Sequence, residues 1–193
     1  ELSKVLSYKE TQELDFRTQF KYERITHLVD WLHRFQAREN KDIPVEILEK
    51  IKDEAKKKKI NDYNLLTEEE VKKFLKKLNL KDYYDNIITI INRINNRPAF
   101  QLTTEIENKI KEMFNQIQEP FERHKPSKRK SMLSYSYILN KFFLILDLPE
   151  FSKYFPLLKS PDKRRLQDDI FKKIIEDMKK IDSSINWRFF HSY

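Results

Sequence analysis

The chain has 193 residues, 39 Lys plus Arg against 31 Asp plus Glu for a net charge of +8, and neither Gly nor Cys. Without glycine there is no P-loop, dinucleotide fingerprint or nucleophile elbow, and without cysteine there is no disulfide or thiolate zinc site within this chain. The positive excess favours an anionic partner, nucleic acid first among them, although a Lys-, Ile- and Asn-rich chain can also simply reflect an AT-rich genome.

The length suits one domain with a real core, and 14 Phe, 9 Tyr and 2 Trp argue against disorder. No apolar run approaches the ~20 residues needed to span a bilayer, so no membrane partner is expected. No signal peptide is visible, and an intracellular location is the default expectation.

Residues 1–15 are polar without a sustained period and read as a lead-in, with a single helical domain expected over 16–193. Phe20, Ile25, Leu28, Trp31, Leu32 and Phe35 then recur near the 3.6 period, predicting a helix from about Phe16 to Ala37 with an aromatic inner face. Pro44 disfavours helical backbone at Ile43 and stops it. Val45, Leu48, Ile51 and Ala55 restart a helix that runs into Lys56, Lys57, Lys58 and Lys59, where four cations complement the dipole at a helix end. Thr67 and Glu70 form a capping box ahead of a helix to about Leu78, with Val71, Phe74, Leu75 and Leu78 inside and Lys72, Lys73, Lys76 and Lys77 outside. The isoleucine groups between Lys81 and Asn95 predict another helix.

Asn95-Asn96-Arg97-Pro98 marks a loop. Thr104 and Glu107 read as a second capping box, opening a helix to about Glu119, where Pro120 is expected to break or kink the chain. Residues 131–147 are apolar on every side and predict a buried central helix. Leu148-Pro149-Glu150 opens a turn or short helix. Ser160 and Pro161 start the last one, with Leu166, Ile170, Ile174 and Met178 facing inward, and the tail around Trp187 is expected to dock back. The fold class expected is all-α: six to eight helices around a central aromatic-rich helix.

Catalytic chemistry is not legible, and no catalytic residue is assigned. His27, His33, His124 and His191 are scattered, and the i, i+4 spacing of helical metal ligands is missing. Asp168, Asp169, Glu176 and Asp177 would suit a metal-dependent nuclease, but Lys172, Lys173, Lys179 and Lys180 beside them suggest helical salt bridges instead. Three basic clusters are the candidate binding residues: Lys56, Lys57, Lys58 and Lys59; Arg123, Lys125, Lys128, Arg129 and Lys130; and Lys159, Lys163, Arg164 and Arg165. The last lies at a helix start, where free N–H groups favour phosphate. It would approach the middle cluster if the central helix and its return pack as a hairpin. Tyr135, Tyr137, Trp187 and Phe189 are either core residues or stacking platforms for single strands.

Three stretches carry a resemblance: YERITHLVDWLHRFQARENKDIPVEILEKI at 22–51, FLKKLNLKDYYDNIITIINRINN at 74–96, and MFNQIQEPFERHKPSKRKSMLSYSYILNKFFLILDLPEFSKYFPLLKSPDKRRLQDDIFKKI at 113–174. Together they resemble the poxvirus-type viral late transcription factor 3-like family of large DNA viruses of eukaryotes. Its most specific parts are IQEPF, LSYSYIL, and FPLLKS followed by a charged helix ending near a Trp. The resemblance implies a role in viral late-gene transcription with the virus-encoded RNA polymerase and other late factors, at cytoplasmic sites of viral replication. It also implies an amino-terminal cysteine-rich zinc-binding segment. This sequence departs there: it has no cysteine, so no cofactor is expected in this chain and zinc belongs only to such an upstream segment. The expected function is a non-catalytic helical body that binds DNA, polymerase or both; the alternative is an adaptor that does not touch DNA.

Overall fold

The computed structural model describes residues 8–39, 42–97 and 101–192. Expectations for residues 1–7, for Asn40 and Lys41, and for Pro98 lie outside these. Among the described residues every regular element is helical: α1 (Tyr8–Glu39), α2 (Val45–Lys57), α3 (Glu68–Lys77), α4 (Ile87–Ile94), α5 (Thr104–His124), α6 (Tyr135–Ile145), α7 (Pro149–Ser152) and α8 (Pro161–Ile181), with 3-10 turns at Tyr63–Leu65 and Lys81–Asn86. The all-α expectation holds. Contacts gather into two compact units, one of residues 1–31 with 103–193 and one of residues 32–102, a subdivision the sequence reading does not mark.

In the unit of residues 32–102, Ile47, Ile51 and Ala55 of α2, Val71, Phe74 and Leu75 of α3, and Ile87, Ile90 and Ile94 of α4 make one core. The predicted capping box is present: Thr67 Oγ1 accepts from the Glu70 amide at 3.3 Å, and the Glu70 carboxylate accepts from the Thr67 amide at 3.1 Å. The helix expected over Lys81–Asn95 is instead a 3-10 turn followed by the shorter α4. Tyr83 and Tyr84 are only half-buried there, so the apolar stripe that drives an α-helix to form begins at Ile87.

The other unit is built around α6, whose Tyr137, Ile138, Leu139, Phe142 and Phe143 are buried. Phe143 stacks on Phe155 at 5.2 Å, and Phe142 meets Trp187 edge-on at 5.8 Å, which docks the tail as expected. Each fully buried ring of this kind contributes roughly 2–3 kcal/mol of burial energy. α5 packs along α8, and Arg24 of α1 reaches Glu122 of α5 at 2.8 Å.

Several boundaries differ from expectation. α1 begins at Tyr8, well before its apolar face, because YKETQELD contains good helix formers; residues 12–20 of this extension are all exposed. Pro120 lies inside α5, which runs on to His124. The proline removes one N–H so near the helix end that Phe121, itself fully buried, still anchors the last turn. The cap of α5 is Thr103, whose Oγ1 accepts from the Ile106 amide at 3.2 Å, so the Thr104–Glu107 box is one residue out of register. α6 is shorter than 131–147. Ser160 caps α8 with Pro161 at its first position as expected, but Leu166 is exposed and Phe171 and Ile175 join Ile170, Ile174 and Met178 inside.

Candidate nucleic-acid interface

The three basic clusters have different fates. In the first, Lys57 and Lys77 each lie 2.6 Å from an oxygen of the buried Glu54, Lys56 lies 3.6 Å from Asp53, and the Lys58 ammonium sits 5.2 Å over the Phe74 ring. The hydrogen bonds from Lys57 and Lys77 hold the Glu54 carboxyl below its usual value, and the Lys57 ammonium is raised in return, mainly by the same bond. This acid joins the lysine end of α2 to the lysine-rich face of α3, a juxtaposition that the sequence separation hides.

The middle cluster is largely engaged within the protein. Arg123 donates from Nε and from a terminal nitrogen to one Asp177 oxygen, at 2.9 and 2.6 Å, and Lys125 pairs with Glu122. Arg129 donates to the Ser131 and Met132 carbonyls, each at 2.9 Å, closing the loop after α5. Only Lys128 and Lys130 project as exposed cations without an assigned partner. Arg123 meets α8 about 20 Å along its axis from Arg164, at 1.5 Å per residue.

The last cluster is the open one. Lys159, Lys163 and Arg165 are exposed and Arg164 is half-buried, and among the described residues none of the four forms an ion pair. They surround the start of α8, where Ser160 Oγ accepts from the Lys163 amide and the helix dipole adds partial positive charge.

Beneath this cluster lies a polar network that sequence reasoning missed. Asp168, 6% exposed, accepts from Tyr137 Oη at 2.7 Å, from Ser192 Oγ at 2.6 Å and from the Ser192 amide at 2.9 Å, while the Lys141 ammonium stands 3.5 Å away. Lys141, 1% exposed, also donates to the Phe190 carbonyl at 2.5 Å. Burial alone would raise the Asp168 pKa, but the bonds from Ser192 and Tyr137 and the charge of Lys141 outweigh it and hold the carboxyl below its usual value. Burial pushes Lys141 down, against the pull of Asp168, and pushes the Tyr137 hydroxyl far up. A lone lysine in the apolar run YSYILNKFFLI was the available signal, because a buried ammonium requires a buried acid.

Two of the α8 acids raised for the less favoured nuclease reading have partners within the protein. Asp168 is enclosed by donors, Asp177 faces Arg123 and, at 3.4 Å, the His124 ring, and no cluster of three or more His, Asp or Glu among the described residues could hold a metal ion. Of the aromatic candidates, Tyr137 and Trp187 are buried and Tyr135 lies 6.2 Å from Phe114, whereas Phe189 is only half-buried, beside His191.

Over residues 15–189 the sequence matches the family described as "Poxvirus Late Transcription Factor VLTF3 like". It is 45% identical over 157 residues to "Putative transcription factor A494R" of Paramecium bursaria Chlorella virus 1, covering 81% of this chain and 44% of that protein. It is 41% identical, over an equal length, to "Putative transcription factor R429" of Acanthamoeba polyphaga mimivirus, covering 36% of it. The chain thus spans less than half the length of these two curated relatives. No solved structure matches it. With nearly its whole length matched, the chain belongs to the poxvirus late transcription factor VLTF3-like family.

Proposed function

We propose that this chain is a non-catalytic helical body of a viral late-gene transcription factor, contacting nucleic acid through the start of α8 and working with the viral RNA polymerase and other late factors at cytoplasmic sites of viral replication. Family membership supports the process. The observation that carries the contact is that Lys159, Lys163, Arg164 and Arg165 stand at a helix start without ion pairs, while Arg123, Lys125 and Arg129 are engaged internally. A duplex that meets these four cations releases counterions, so the logarithm of affinity falls with the logarithm of salt with a slope of about −3 to −4. Reversing charge at both arginines (R164E with R165E) is expected to weaken binding and to reduce that slope by about 2. Unchanged binding by this variant in a shift assay over several salt concentrations would exclude the α8 contact.

The second reading is an adaptor that meets polymerase or another late factor without touching nucleic acid. Leu14, Phe16, Phe20 and Tyr22 favour it, because α1 leaves them exposed, Phe16 at 69% and Tyr22 at 71%. Co-purification with polymerase that is lost in a Phe16→Ser, Tyr22→Ser variant, together with no nucleic-acid affinity at low salt, would establish it in place of the first.

A further inference from the structure

Residues Pro161, Arg164, Arg165, Asp168, Asp169 and Lys172 recur at spacings of three and four and therefore share one face of α8. The tail returns along this face, held by the Lys141 bond to the Phe190 carbonyl and by the two Ser192 bonds to Asp168. Two adjoining recesses are left between helix and tail. One, of about 90 Å³, is lined by Pro161, Arg164, Arg165, Asp168 and Ser192. The other, of about 280 Å³, is lined by Arg165, Asp168, Asp169, Lys172, Phe189 and His191.

The chemistry of this groove is specific. Asp168, which forms part of both recesses, does not repel an anion, because three hydrogen bonds and the Lys141 ammonium already satisfy it. Arg164, Arg165 and Lys172 then outnumber the one remaining acid, Asp169. The aromatic wall is fixed in place: Phe189 meets His191 edge-on at 4.8 Å, and the Lys141 ammonium lies 5.8 Å from the Phe189 ring. A cationic rim beside aromatic rings matches a nucleotide, whose phosphate needs the first and whose base stacks on the second. The larger recess, of about 280 Å³, falls just short of the roughly 300–1,000 Å³ of small-molecule sites, a size for a single nucleoside rather than a larger ligand. A duplex keeps its bases stacked inside and would offer the groove only phosphates.

We propose that the groove between the first half of α8 and the tail binds an unpaired nucleotide of a single strand, with its base against Phe189 and His191 and its phosphates on Arg164, Arg165 and Lys172. This rests on the reading that the start of α8 contacts nucleic acid, and it narrows the ligand from duplex to single strand.

The test is fluorescence anisotropy on the full chain with a labelled ten-nucleotide DNA strand of mixed sequence, the matching RNA strand and the matching DNA duplex, all at one salt concentration. At least one of the two strands is expected to bind ten or more times tighter than the duplex; a preference between them reads out the 2′-hydroxyl. His191→Ala is expected to weaken single-strand binding about tenfold and to leave duplex binding within twofold. Phe189→Leu is expected to do the same, with circular dichroism checking its fold. Should Phe189→Leu unfold, the exposed His191→Ala alone decides. Equal affinity for strand and duplex, or a His191→Ala protein that binds the strand normally, overturns the groove assignment. If duplex binding is still lost in the R164E, R165E variant in that case, the α8 contact stands and only the single-strand site falls. No binding of any of the three probes at low salt removes both.

Discussion

At the scale of single residues, the buried Asp168–Lys141 pair decides the most. Two opposite charges at 3.5 Å inside a packed core are costly to bury, and what compensates is that the remaining oxygen lone pairs and ammonium protons find partners in Tyr137, Ser192 and the Phe190 carbonyl. Removing one member strands the other. Asp168→Asn and Lys141→Met are each expected to cost roughly 3–5 kcal/mol in urea unfolding, and the double variant less than the sum, with a coupling of about 1 kcal/mol or more. Additive losses would mean that the two charges do not interact. Because the folded Asp168 carboxyl is held below its unfolded value, the unfolded chain takes up more protons as pH falls between the two. Its stabilisation is therefore complete above about pH 4 and lost progressively below it. Asp168→Asn is expected to flatten the acid limb of a stability-versus-pH curve; a limb unchanged in that variant would assign the loss to other carboxylates.

At the scale of elements, the missing glycine is answered in a uniform way. α2, α3, α4 and α6 each end with a residue at positive φ: Lys59 (60°), Asn79 (58°), Asn96 (53°) and Asp147 (58°). Each stop carries the paired bonds of a Schellman motif, such as Ile60 N–H to the Ala55 carbonyl at 3.0 Å with Lys59 N–H to the Lys56 carbonyl at 2.8 Å, and Leu80 N–H to the Leu75 carbonyl at 2.8 Å. Asn and Asp tolerate this backbone; Lys does so at a cost of about 1–2 kcal/mol, part of which glycine returns as chain entropy. Lys59→Gly is accordingly expected to stabilise the fold by about 0.5–1 kcal/mol, a rise of roughly 1–4 °C in melting temperature. A fall in melting temperature would show that the lysine side chain contributes more than its strained backbone costs.

At the scale of the whole molecule, a net charge of +8 predicts affinity for polyanions without saying where it acts. The distribution of ion pairs supports the start of α8 as the proposed place, because its four cations form no ion pair among the described residues. Charge reversal at Lys128 and Lys130, the two exposed cations of the middle loop, is expected to weaken duplex binding less than the same change at Arg164 and Arg165, by fivefold or more at about 0.1 M salt, where unrelated surface charges are screened beyond ~10 Å. An equal loss in both variants would point to a diffuse electrostatic surface instead.

The sequence by itself determined the helical class, the Thr67 box, the Ser160-Pro161 start and the burial of α6, since each rests on side-chain periodicity or on a bond between residues a few positions apart. It also carried the family resemblance. The extension of α1 back to Tyr8 rests on helix propensity without an apolar period, a signal that periodicity passes over, and that α5 tolerates Pro120 depends on the burial of Phe121 in the turn that follows. Tertiary structure alone decided the availability of the groups whose partners lie far along the chain. Arg123 is claimed by Asp177, Lys57 and Lys77 meet on Glu54, and Ser192 reaches back to Asp168. Pairs three residues apart, such as Lys57–Glu54 and Lys125–Glu122, are within reach of a local pattern, but whether Arg123, Lys77 or Ser192 faces solvent or a partner is set by residues distant in the chain.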